Sequence, residues 1–507
     1  MKKSAKILSL LLAVLFVVAC FASCDGGKET ESSKPDTKNP QTMETEDERK
    51  SIKDGVPADL NYASAKDHTV TFFQRTQFPY EIECDELIND VLADAIHYRN
   101  IDVENRLGVQ IDTIQQSCSY SEHSAWNSVL STSVLTNSGD FDAAAIYTST
   151  GTKLAKEGVY MNLLSLLQED NNGYFDFSKP WWNRSLLDEL TLYGNLFYCG
   201  GDIASSETEM GLCLFFNKGL FDQKFPEDTY ANLYQLVRDK QWTIDKMIDY
   251  VDSCWEDLNS NGTIDEGDIA GVKCPAFGTS AGTMDAWLYA MGLDVIEKDE
   301  FGDPVITVHG NPNIAPAYEL VRKLYVETAG SLQLSTYTGE TAFSNNNLMF
   351  TLGYLSSGKA LRELTFEYGV LPLPMYNEEQ ENYRTVPEST CSLFTILSNV
   401  PYEKAAMISA LFELLAAESY KQVTPAYYST VLQGQYSREQ ADAEMYDVIL
   451  KSMVIPFSHI YSQSLGVITH IFRNMDPTFD MQSRLDGRKS AWQTQLDELL
   501  TALEAVE

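Results

Sequence analysis

The chain has 507 residues, 73 of them acidic against 37 basic, for a formal net charge of −36. No basic block occurs outside the first residues, which argues against a nucleic-acid or anionic-membrane surface. The length exceeds what one hydrophobic core holds and predicts two lobes behind a short leader.

Lys2, Lys3 and Lys6 precede an apolar run from Ile7 to Ala19, a pattern of secretory signals that is too short for a mature spanning helix. Two cysteines end the run, Cys20 in "VVAC" and Cys24 in "FASC", and both resemble the acylated cysteine of bacterial lipoproteins. Cys20 has the better residue three places upstream, Val17, but cleavage before Cys24 leaves a polar mature end. Residues 1–23 are therefore expected to be a lipoprotein signal peptide and Cys24 the lipidated residue, with Cys20 as the alternative. Residues 24–60 are polar, charged and nearly free of aromatics, and are expected to form a disordered tether. Seven cysteines follow, at 84, 118, 199, 213, 254, 274 and 391, without a CxxC spacing. They indicate neither a zinc site nor a disulfide framework, and one or two bridges stay open.

"HTVTFFQRT" (68–76) alternates as a strand, and the stretch from Glu86 to Ile114 reads as a helix running into a second strand. A helix around Trp126 to Leu135 leads to "DFDAAAIYTST", an apolar strand ending in a hydroxyl-rich turn. Strands alternating with helices predict α/β units with parallel strands, and ligands of such sheets sit at the carboxyl ends, here Tyr147 to Thr150. "GNLFYCGGD" and "GLCLFFNK" read as strands, and "QWTIDKMIDYVDSCWEDL" as a helix capped by Thr243.

"DLNSNGTIDEGD" (257–268) follows at once. Oxygen-bearing residues stand at the first, third, fifth, seventh, ninth and twelfth places (Asp257, Asn259, Asn261, Thr263, Asp265, Asp268), with Gly262 sixth and Ile264 eighth. That is the ligand order of an EF-hand loop, which wraps a hard cation in oxygens and needs glycine at its sharp turn. A structural calcium ion is expected; Asp268, shorter than the usual Glu, leaves a weaker or water-completed site. The alternative is an acidic turn without metal. One copy followed by "IAGVKCPAF", which has no helix pattern, argues against a dockerin or a calcium sensor. Beyond it, "FSNNNLMFTLGYLSSGKALREL" and "YGVLPLPMY" read as strand, turn, helix, strand. "VPYEKAAMISALFELLAAESYKQV" and the terminal "SAWQTQLDELLTALEAVE" read as amphipathic helices.

At "FDAAAIY", "KPWW", "LCLFFNKGLF", "FSNNNLMF", "YGVLPLPMYNEEQENYRT" and the helix after "ILSNVPYEKA", the order of segments resembles the extracellular solute-binding proteins of ABC importers, in particular the large carbohydrate-type family 1 group. The resemblance covers nearly the whole chain after the tether. It implies an α/β, two-lobed periplasmic-binding-protein-like fold with crossover hinge strands and a helical C-terminus. Lobe one would hold residues 65–205 and 383–428, and lobe two 208–380 and 430–507 with the loop at 257–268. It also implies a monomeric receptor, lipid-anchored on the outer face of the cell membrane, that captures a sugar or oligosaccharide and delivers it to an ABC permease without catalysis.

By position, the resemblance places ligand contacts at Thr148 and Ser149, at Asp202, Ser205, Ser206 and Glu207, at Tyr354, and at Phe457 and Tyr461. Trp181 and Trp182 are the most visible aromatics. Adjacent residues face opposite ways, so one is expected in the core, and which of the two lines the cleft stays open. Trp287 is expected in the core. A peptide receptor is the main rival, with Asp202 or Glu207 meeting an amino terminus.

Enzyme readings are weaker. "GTSAG" (278–282) matches the G-x-S-x-G nucleophile elbow, with His309, His459 and His470 downstream, but Pro275 interrupts the strand the motif requires and no HGGG-type stretch exists. Ser280 as an esterase nucleophile is thus a minor alternative. A glycosidase needs two carboxylates at a set separation, which sequence leaves open. No HExxH, Walker loop or GxGxxG supports metal-dependent hydrolysis or nucleotide chemistry.

Overall fold

The computed structural model describes residues 46–274, 282–333, 338–476 and 478–506. The signal peptide, Cys20, Cys24, most of the expected tether and Ser280 lie outside the described residues.

Two larger sheets organise the chain. Their strands are β1 (Thr69–Arg75), β2 (Gln110–Gln116), β3 (Ala143–Tyr147), β4 (Leu212–Asn217), β5 (Phe350–Tyr354), β6 (Tyr368–Leu371) and β7 (Ser392–Ile396). The helices used below are α1 (Glu46–Ser51), α2 (Val91–Leu107), α3 (His123–Thr136), α4 (Ile244–Cys254), α5 (Tyr402–Glu418), α6 (Gln440–Lys451) and α7 (Met481–Ala505).

The first sheet runs β7-β3-β1-β2, with β1 parallel to β2 and β3 and with β7 antiparallel to β3. β3 reads "AAAIY" and is buried throughout, as a strand covered on both faces must be. Phe73 of β1 stacks on Trp126 of α3 at 4.6 Å on one side of the sheet, and Phe72 stacks on Phe412 of α5 at 5.8 Å. The second sheet runs β6-β4-β5, and both pairings are antiparallel. This corrects the expectation of parallel strands throughout: β5 and β6 point the same way, but β4, arriving from the first sheet, lies between them in the opposite sense.

Other expectations also need revision. The segment assigned to a disordered tether includes α1 and an ordered run after it. Asp54 accepts from both terminal nitrogens of Arg106, at 2.8 and 2.9 Å, and Arg49 is buried. α5 is not amphipathic, since every residue from Ala405 to Ala417 is buried. The sheet covers one of its sides, α2 and the segment around Tyr174 to Asp176 cover others, and a helix enclosed in this way is apolar all round. Other readings agree with the structure: Thr243 caps α4 through Lys246, Trp287 is fully buried, and α7 buries one stripe through Trp492, Leu496, Leu499 and Leu503. All seven cysteines of the body are buried. No helix among the described residues is long and apolar enough to cross a membrane.

Candidate functional site

Strand ends set the site. β3 stops at Tyr147 beside the first residue of β7, Ser392, while β5 stops at Tyr354 beside the first residue of β4, Leu212. Two chain crossings, through 201–211 and 383–391, join these ends. They pair with each other: Leu212 N–H donates to Val386 O at 3.1 Å and Glu388 N–H to Met210 O at 2.9 Å. A third crossing follows α5 as helical turns through Tyr436 and leads into α6, which packs on β6. The first crossing leaves through Gly201, whose φ is +127°. A side chain there would sit 2.3 Å from the Trp181 carbonyl, so only glycine fits.

Glu388 stands in the second crossing, 9 % exposed, and accepts from Thr390 N–H at 2.9 Å. Burial raises the hydroxyls of Tyr147 and Tyr354, and the Glu388 charge raises both further, so this acid lies within electrostatic reach of one tyrosine from each sheet. Arg473 donates from Nε to Asp285 at 2.7 Å and is also within reach of Glu388. Burial pushes Asp285 up to about 6 against the pull of Arg473, with Glu388 adding to the rise. Glu388 belongs to no sequence motif, and only the meeting of both crossings gives it this position.

Under the ends of β1 and β7 lies a closed polar network. Arg75 donates to Ser392 Oγ at 2.7 Å, Ser392 Oγ donates to Glu81, Ser206 N–H donates to Glu81 at 3.1 Å, and Ser392 N–H donates to Ser206 Oγ at 2.8 Å. The guanidinium of Arg75 lies over the rings of Phe78 and Tyr147, at 4.9 and 5.2 Å.

Next to Glu81 opens a cavity of about 430 Å³. Its walls come from the turn after β1, the first turn of α2, Ser205 and Glu209 of the first crossing, the turn after β5, and Tyr427 and Tyr436 of the third crossing. Lys359, after β5, pairs with Asp90, the N-cap of α2, at 2.7 Å and so links elements of the two sheets across the wall. Glu209 is pushed up to about 7. Burial is the main cause; Ser205 donates to it and opposes the shift, the charges of Glu81 and Asp90 add to it, and Lys359 opposes it.

The residues expected to touch a ligand fall into groups. Ser205 lines the cavity, and Tyr354 is half-buried at the end of β5. Ser149 is buried beside the second crossing, its N–H donating to Ser389 O at 3.2 Å. Thr148 is buried with its hydroxyl donating to Cys391 O at 2.7 Å, which pins β3 to that crossing. Glu207 accepts from Gly201 N–H at 3.0 Å and from Asn183 at 3.2 Å, holding the first crossing in place. Asp202 accepts from the Thr424 hydroxyl; burial pushes it up to about 6, with Thr424 and Arg49 opposing.

Phe457 and Tyr461 differ from expectation: each is 1 % exposed, their rings pack at 4.8 Å, and Tyr461 also meets Tyr198 at 6.5 Å, so their faces are taken up by core. Trp181 and Trp182 are both buried, and both indole N–H groups donate to Glu413 at 3.0 Å. Opposed facing holds for neighbours within a strand; Trp181 sits in a turn and Trp182 makes a single bridge to Gly201, so it does not apply here.

The 257–268 loop turns as its spacing predicts. Gly262 has a φ of +76°, and Asp257 accepts from the N–H groups of Asn261 and Gly262 at 3.2 and 2.8 Å. Asp268 accepts from Leu258 and Asp265 N–H at 3.0 and 3.1 Å, and Asn259 donates to Asp265. Among the described residues, no three acidic, imidazole or thiol side chains are grouped as metal ligands would be. The donor order and the turn fit calcium; the carboxylates are held by N–H groups, and a cation would have to draw them together. Thr263 is exposed, and its hydroxyl donates to Asn261 at 2.8 Å.

No protein-family model and no curated protein matches the chain. Solved structures do. UgpB from Mycobacterium tuberculosis, in complex with glycerophosphocholine, is 12 % identical with a TM-score of 0.55 over 85 % of this chain and 99 % of its own. An ABC-transporter-associated binding protein from B. animalis subsp. lactis, in complex with β-1,6-galactobiose, is 13 % identical with a TM-score of 0.51 over 87 % of this chain and 99 % of its own. An ABC substrate-binding protein from Listeria monocytogenes, in complex with cycloalternan, is 14 % identical with a TM-score of 0.50 over 86 % of this chain and 99 % of its own. At these identities the likeness shows the fold: a mixed α/β chain with the two-lobed architecture of ABC-importer solute-binding proteins.

Proposed function

We propose that the protein is the extracellular receptor of an ABC importer and captures a sugar or oligosaccharide between its lobes. The observation that carries this reading is the 430 Å³ cavity walled by elements of both sheets and by two of the crossings between them, in a fold whose solved neighbours include sugar complexes. Such a receptor needs no chemistry. A ligand that touches both lobes binds the closed arrangement better than the open one and shifts the population toward it by that difference. The permease then reads the closed form.

The lipoprotein start supports anchoring through Cys24 at the outer face of the membrane, with the receptor acting as a monomer. The lobe ranges 65–205 with 383–428 and 208–380 with 430–507 belong to the same proposal, as does calcium at 257–268, where the ion would hold the exposed loop through Asp257, Asn259, Asn261, Thr263, Asp265 and Asp268.

A thermal-shift screen of residues 46–507 against oligosaccharides and short peptides tests the reading, since a ligand bound to the folded state raises the melting temperature in proportion to RT ln(1 + [L]/Kd). A sugar that stabilises and is recovered unmodified supports it. Stabilisation by peptides alone, or turnover of a chromogenic glycoside or ester, contradicts it.

A further inference from the structure

We propose that Glu209, together with Tyr427, reads the ligand through the hydroxyl groups of a neutral sugar ring seated in the 430 Å³ cavity. This rests on the solute-capture reading and assigns its recognition site.

All but one of the cavity's charged groups are already engaged. Asp90 is committed to Lys359. Glu81 takes Ser206 N–H on one oxygen and the Ser392 hydroxyl on the other, with Arg75 behind them. Arg362 donates to Glu363 and to Gln435. Glu209 is left. Among the described residues its carboxyl accepts one hydrogen bond, from Ser205 Oγ at 3.0 Å, although two oxygens accept up to four.

Beside it stands the second unmet group. Tyr427 is 6 % exposed and lines the cavity, its hydroxyl has no partner among the described residues, and it lies within electrostatic reach of Glu209. A buried hydroxyl without a partner is costly; Tyr420 and Tyr446 share that state outside the cavity's lining, and Tyr427 is the one of the three that lines it.

The chemistry of the occupant follows. It must donate to a carboxyl and satisfy a phenol next to it, which adjacent hydroxyls of one ring do. An anion would meet Glu81, Asp90 and Glu209 with every nearby cation already paired. A cation gains little, because Arg75 and Lys359 offset the other two acids. Apolar wall is supplied by Phe78, Tyr80 and Ile88, and Tyr80 and Ile88 are 43 % and 37 % exposed, so a ring's C–H face has somewhere to rest. The volume lies within the range of small-ligand sites.

The test is calorimetric titration of residues 46–507 with maltotetraose and galactobiose, a glucosamine tetramer and a galacturonate trimer, on wild type and on Glu209→Gln, Tyr427→Phe and Glu388→Gln. The neutral sugars are expected to bind and the galacturonate to fail. Glu209→Gln should weaken binding at least about tenfold, the effect of losing one good charged hydrogen bond. Tyr427→Phe should weaken it severalfold while leaving the unfolding temperature unchanged or higher, which separates ligand contact from a folding defect. Neutral sugars binding both variants as they bind wild type, with Glu388→Gln alone losing affinity, would overturn the assignment and leave the capture reading standing. Preference for the charged oligomers would overturn the ligand class. Failure of every saccharide on wild type would overturn the capture reading itself.

Discussion

Arg49 lies 4.7 Å over the ring of Tyr420 and donates to the Tyr420 carbonyl at 2.9 Å, fastening the first described helix to the start of the third crossing. Its charge also acts on Asp202 in the first crossing, where Thr424 donates to the same carboxyl. Arg49→Ala removes a buried charged hydrogen bond and the ring contact together, and should cost about 1.5–3 kcal/mol in chemical denaturation. Unchanged stability would mean that α1 is not held there.

This contact shows what the sequence could and could not disclose. β1, β3 and the Thr243 cap are written in local pattern: alternation, an apolar run and a hydroxyl before a helix. The segment order disclosed the two-lobed architecture. Arg49 and Tyr420 are 371 residues apart, and a polar leader gives no sign that one of its arginines will be buried. Glu388 and Glu209 were missed for the same reason: an acid in a loop becomes a site only when crossings distant in sequence meet. Trp181 and Trp182 were visible as aromatics, but their role depends on Glu413, 232 and 231 residues away in a helix whose pattern reads as amphipathic. The one hint was Glu413 itself, an acid set among Phe412, Leu414 and Leu415.

Trp182→Phe therefore tests core against cleft. It keeps most of the buried ring and removes one donor to Glu413, so it should lower stability by about 1–3 kcal/mol and leave sugar affinity unchanged. Loss of affinity at unchanged stability would return Trp182 to the ligand site.

Glu207 makes stability depend on pH. Burial pushes its carboxyl from about 4.5 up to about 8, opposed by the donors Asn183 and Gly201 and reinforced by Glu81 and Asp202. A raised acid favours the folded state fully below its unfolded pKa, and that contribution is lost as pH climbs through the folded value. Glu207→Gln, an uncharged mimic of the protonated acid, should match wild type near pH 5 and be the more stable of the two near pH 9. Parallel unfolding curves for the two proteins across that window would show that Glu207 is not the group responsible.

Calcium is tested without reference to transport. With the ion bound at 257–268, EDTA should lower the melting temperature of wild type and leave Asp257→Ala unaffected. Identical melting of wild type with EDTA and with excess calcium would show that the loop is held by its N–H bonds alone.

Capture between lobes requires the lobes to close on the ligand. Small-angle X-ray scattering of residues 46–507, with and without a saturating amount of the sugar that stabilises them, tests it most directly. A smaller radius of gyration is expected in the bound state, as the elements around Glu209 and Tyr427 close on the ligand. A saturated protein with an unchanged radius of gyration would contradict it.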